Sequence, residues 1–146
     1  MTGLPSGPLP TDAVPELFSA PWAAAVGDAL NASEAYQAAA ATWDGAIRLV
    51  ARDGTDAPRA VWLDLHHGRC DATRAGADAL AADAPFEIAA PVAVWTEVLA
   101  GRLDPLVGMM LGKLKVTGDM GQISRHVKAA KEMVACAASV ETTPPA

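Results

Sequence analysis

The chain has 146 residues, 51% of them hydrophobic and 19% charged, with a formal net charge of −6. A chain this long and this apolar can bury a core, which excludes disorder as its overall state. The acidic balance excludes a nucleic-acid backbone as principal partner, because such binding depends on a basic surface that releases counterions.

Pro5, Pro8 and Pro10 fall among small residues in the first stretch, so residues 1–14 are predicted to be a disordered tail, as are residues 141–146. A single domain is expected over 15–140. The start lacks the basic and apolar runs of a signal peptide, and no stretch supplies the roughly 20 apolar residues that span a bilayer. Cys70 and Cys136 form no paired motif, so reduced thiols and a cytoplasmic location are the expectation.

From Phe18 the pattern is helical: Ser19 caps, Pro21 lies in the first turn, and Trp22, Val26 and Leu30 repeat on one face. Asn31 and Glu34 have capping-box spacing for a second helix that runs to about Ala40. Strand alternation follows in AIRLVARD, closed by Asp53 and Gly54. In RAVWLDLHHG, Val61, Leu63, Leu65 and His67 share one face, with Trp62, Asp64 and His66 on the other. Gly68 and Arg69 read as a turn into a third strand, residues 76–84 as a loop, and PFEIAA as a fourth strand, which together predict an antiparallel meander. Val92, Trp95, Val98 and Leu99 give a helix ended by Gly101, and Asp104 with Pro105 opens a short helix from Leu106 to Leu111. KLKVT alternates as a strand with Leu114 and Val116 inward. Asp119 then caps one long final helix whose apolar stripe is Met120, Ile123, Val127, Ala130, Val134 and Ala137.

Two motifs invite chemistry. The His66–His67 pair suggests a metal, but adjacent strand residues point to opposite faces and no third ligand has a recognisable spacing, so no metal is assigned. Asp64 with His66 makes an acid–base pair or a solvated strand face, and no nucleophile motif accompanies it. GMMLGK lacks the length and the Ser or Thr of a phosphate loop. Met109, Met110, Met120 and Met133 are either core filler or the soft wall of an adaptable apolar cavity.

The ordered motifs WLDLHHG (Trp62 to Gly68), GRLDP (Gly101 to Pro105) and GKLKVTGDM (Gly112 to Met120) make the chain resemble the sterol carrier protein type 2 domain, in the form of a bacterial single-domain member. The resemblance implies an α/β (α+β) fold: a five-stranded, mainly antiparallel mixed sheet with helices on one face enclosing a hydrophobic cavity. It implies noncatalytic binding or transfer of a fatty acid, acyl-CoA, phospholipid, sterol or other hydrophobic ligand, without cofactor and with transient membrane contact. The cavity lining expected on this basis is Trp62, Trp95, Leu99, Leu106, Met109, Met110, Leu114, Val116, Met120, Ile123 and Val127. Where sterol-binding relatives often carry two phenylalanines, this chain has Met109 and Met110, so no particular ligand is implied. Two other readings stay open: a small enzyme or accessory factor using Asp64 and His66, and an interaction module without ligand.

Overall fold

The structure is a computed structural model, described here over residues 18–52 and 58–140. Both expected tails and the Asp53–Gly54 turn lie outside the described residues. In chain order the elements are α1 (Ala20–Ala32), α2 (Glu34–Ala39), β1 (Ile47–Arg52), β2 (Arg59–His66), β3 (Arg69–Ala75) and α3 (Ala77–Ala81). They continue with β4 (Phe86–Pro91), α4 (Val92–Leu99), α5 (Pro105–Met110), β5 (Lys115–Thr117), α6 (Met120–Arg125) and α7 (Val127–Ser139).

The five strands form one mixed sheet in the order β3-β2-β1-β4-β5. β1 runs parallel to β4 and antiparallel to β2, and the two edge pairings are antiparallel. The meander is therefore corrected at its fourth strand. Residues 77–81 are a helix instead of a loop. It packs on β2 and β3 and carries the chain across the sheet, the kind of crossover that a parallel neighbour requires.

The β2–β3 turn also shifts by one residue from expectation. Its central residues are His67 and Gly68, at φ 51° and 83°, as in a type I′ hairpin. Glycine is demanded there twice over, since a Cβ on Gly68 would stand 2.7 Å from the Gln37 carbonyl oxygen.

Side-chain alternation sorts the sheet into two faces. Ile47, Leu49, Ala51, Val61, Leu63 and Leu65 enter the main core under α1, α2, α4 and α7. Val50, Ala60 and Trp62 face the other way, where Ala79 and Ala82 cover them. Asn31 proves not to cap α2. Ser33 does so, accepting from the Tyr36 N–H at 3.1 Å, while the Asn31 amide clamps both backbone groups of Cys70 at 2.8 and 2.9 Å. Ser19, Asp104 and Asp119 cap α1, α5 and α6 as the sequence predicts.

The long final helix is broken at His126. Its backbone sits at φ −121° and ψ 31°, and its Nδ1–H donates to the Gln122 carbonyl at 2.9 Å. In a continuous helix that carbonyl would accept from the His126 backbone N–H, which instead bonds to Ile123 at 3.1 Å. The periodic stripe persists across the break, which is why apolar spacing alone misses it.

Candidate functional site: two apolar cavities under the sheet

Between the inner sheet face and the helices lie two adjoining cavities of about 60 and 50 Å³. The first is bounded by Tyr36, Trp43, Ile47, Leu65, Phe86, Val116, Ile123 and His126. The second runs past Trp22, Leu49, Trp95, Leu99, Leu106, Leu114 and Val127 to Lys131. Ile88, Met109, Ala130 and Met133 border both, so these four apolar residues form the boundary that the two spaces share.

Local structure places these walls. Trp43 follows α2, donates from Nε1 to the Gly45 carbonyl at 2.9 Å, and meets the Phe86 ring with centroids 4.5 Å apart. His126, at the helix break, meets the Trp43 ring in a T-shaped contact with centroids 5.1 Å apart and pairs Nε2 with the Thr42 hydroxyl at 2.9 Å. The sharp exit from β5 holds Phe86 against this end. Gly118 has φ 136°, and a Cβ there would stand 2.6 Å from the Phe86 ring. In the second cavity Trp95 donates to the Val50 carbonyl at 2.9 Å, whereas the buried Trp22 Nε1 has no acceptor among the described residues. Such an unsatisfied donor is uncommon in a native interior.

Eight of the eleven expected lining residues border these spaces: Trp95, Leu99, Leu106, Met109, Leu114, Val116, Ile123 and Val127. Three do not. Trp62 lies on the opposite sheet face, its Nε1 donating to Asp83 and its ring covered by the Arg74 guanidinium at 4.8 Å. The even positions of β2 all point that way, so the strand alternation that placed Leu63 and Leu65 inward also excludes Trp62. Met110 is 85% exposed, because the helical step that carries Met109 inward carries its neighbour outward, and Met120, the first residue of α6, is 49% exposed. The sequence reading missed Trp22, Tyr36, Trp43 and Phe86 as walls, and left Met133, which borders both cavities, open between core filler and soft wall. The spread of tryptophans over separate elements was the available signal.

Burial raises the Tyr36 phenol well above its ordinary value, with the nearby Cys70 and Cys136 adding to the effect. Burial likewise pushes the Cys70 thiol up to about 11, so it stays protonated and unreactive at neutral pH.

The Asp64–His66 pair exists but borders neither cavity. His66 Nε2 is 2.5 Å from Asp64, and Nδ1 pairs with Asp44. Asp64, His66 and Asp71 have ligand-type atoms within 4.8 Å of one another. Both imidazole nitrogens already hold carboxylates, however, which is the arrangement of a hydrogen-bonded imidazolium and leaves no ring lone pair for a metal. The bonds to Asp44, then to Asp64, raise the His66 pKa above its ordinary 6.5. The stabilisation from this pairing is therefore complete below pH 6.5 and is lost as pH rises through the raised folded-state value. In an NMR titration the His66 ring protons should report a pKa above 6.5 that falls in Asp44→Asn and in Asp64→Asn. A midpoint at or below 6.5 in the unaltered protein would disprove the pairing.

A sheet face roofed by helices around adjoining apolar cavities defines a class: proteins that bind lipids or other hydrophobic small molecules. The chain belongs to the SCP-2 sterol transfer family, whose model matches residues 26–131. A crystal structure of sterol carrier protein 2 is 42% identical, covers 86% of this chain and 99% of its own, and has a TM-score of 0.78. A solution structure from Thermus thermophilus, described as possibly a sterol carrier protein, is 41% identical over 89% of this chain and 93% of its own, at TM-score 0.77. The Aedes aegypti sterol carrier protein-2 in complex with palmitate shares the fold at 14% identity and TM-score 0.55, covering 83% of this chain and 97% of its own. A search of curated proteins gave no match. Among the described residues no helix is long and apolar enough to cross a membrane.

Proposed function

We propose that the protein is a noncatalytic carrier of a long acyl chain, of which a free fatty acid is the simplest form, in a bacterial-type single domain acting in the cytoplasm. The observation that carries this reading is the junction of the two cavities at Ile88, Met109, Ala130 and Met133. Two small adjoining spaces suit a linear chain better than a compact ring system. Their volumes lie far below the ~300–1,000 Å³ usual for ligand sites, so uptake requires that shared boundary to yield. Met109 and Met133 are the flexible side chains able to re-pack there.

Lys131 is the one residue on either lining, among the described residues, that carries a permanent charge. Its ammonium stands 4.0 Å from Asp104, a long contact that a carboxylate headgroup at the cavity end can replace. The palmitate held by the Aedes aegypti relative supports the choice of ligand class. The Thermus thermophilus relative supports the bacterial form, and the unpaired, buried Cys70 and Cys136 fit reducing surroundings. No observation favours an enzyme, since the Asp64–His66 pair faces away from both cavities.

Native mass spectrometry of protein purified from its own cells is expected to show a co-purified lipid mass. Stripped protein is expected to take up a fluorescent fatty acid. Protein that does neither is no carrier.

A further inference from the structure

The two adjacent methionines divide the work of α5. Met109 and Leu106 wall the cavities, while Val107, Met110 and Leu111 stand 45%, 85% and 63% exposed along the same helix and its C-cap. Of the five large hydrophobic residues exposed among the described residues, four fall between Val107 and Met120. So dense a cluster on one short segment marks an interaction surface. Lys113 and Lys115, both exposed, follow it directly, and neither forms an ion pair among the described residues. The carboxylates of the segment are engaged elsewhere: Asp104 and Asp119 accept from backbone N–H groups at the starts of α5 and α6.

We propose that α5 and the turn into β5 dock on a lipid bilayer carrying anionic headgroups, with Met110 and Leu111 entering the acyl boundary and Lys113 and Lys115 on the headgroups. Charge selects this occupant. A chain of net charge −6 is repelled by an anionic surface as a whole, so an apolar patch beside two unpaired lysines is the orientation in which that repulsion is least. The position selects it again. α5 is the wall between bilayer and cavity, so a lipid leaving the membrane there meets Met109 and Leu106 next. Docking concerns a surface and carriage an interior, so each can fail while the other holds.

The test is co-sedimentation of the whole protein with phosphatidylcholine vesicles, with and without phosphatidylglycerol, alongside fluorescent fatty acid uptake in solution. The bound fraction is expected to rise at least about tenfold when phosphatidylglycerol is present, and the paired variants Lys113→Glu/Lys115→Glu and Met110→Ser/Leu111→Ser are each expected to abolish that gain. Because these side chains are exposed, both variants should keep the unaltered melting temperature and uptake. Absence of vesicle binding by the unaltered protein, or binding unchanged in the variants, overturns the proposal. So does a dimer that Met110→Ser/Leu111→Ser converts to monomer with vesicle binding intact, which would assign the patch to a second copy.

Discussion

Replacing Ala130 by leucine is expected to lower the affinity for a fluorescent fatty acid at least about tenfold without loss of thermal stability. Ala130 is half-buried on α7 and borders both cavities, so a larger side chain grows into the one place that a chain threading from one space to the other must cross. Adding methylenes to a filled interior usually costs about 1–3 kcal/mol through forced rotamers. Here the addition meets open space beside Met109 and Met133, and filling such a space is commonly neutral or stabilising. The pairing of the two readouts is what makes the result decisive. Affinity lost with the melting temperature kept or raised places the ligand at the junction. Affinity kept shows that the ligand occupies one cavity alone or binds elsewhere, and a fall in both reports only a damaged core.

The elements that set the cavities were legible in the sequence to the extent that a local rule governs them. Ser19, Asp104 and Asp119 each announce a helix start through a short polar side chain before an apolar run, and each caps as expected. Strand alternation places Leu63 and Leu65 inward because a period of two leaves no choice of face, whereas Leu114, also buried as expected, lies in the turn before β5 and not in the expected strand KLKVT. What failed was non-local. That β4 lies beside β1 depends on α3 docking against Trp62, and that packing is invisible in a run of alanines. The break at His126 depends on a ring nitrogen capturing the Gln122 carbonyl while the other nitrogen finds Thr42, 84 residues away in the chain. Met110 was misplaced for a simpler reason: adjacent methionines look alike in composition, and one helical step of about 100° puts them on different sides.

The second large effect concerns Trp22. This side chain is wholly buried, stacks on Phe18 with centroids 5.0 Å apart, and walls the second cavity, so Trp22→Ala is expected to destabilise the protein by about 3–5 kcal/mol. Trp22→Phe should cost far less, and comparison with Trp95→Phe isolates the reason. Both changes remove part of an indole from the same core, but Trp95 gives up a buried hydrogen bond to the Val50 carbonyl, whereas Trp22 gives up an N–H that has no acceptor among the described residues. Losing the unsatisfied donor also removes its desolvation penalty, so Trp95→Phe should be the more damaging by roughly 1–3 kcal/mol in urea unfolding of lipid-free protein. Equal losses in the lipid-free protein would show that the Trp22 N–H already finds an acceptor there, as a buried water would supply, whereas a gap that closes only when the pair is repeated with fatty acid bound would assign the acceptor to an oxygen of the ligand.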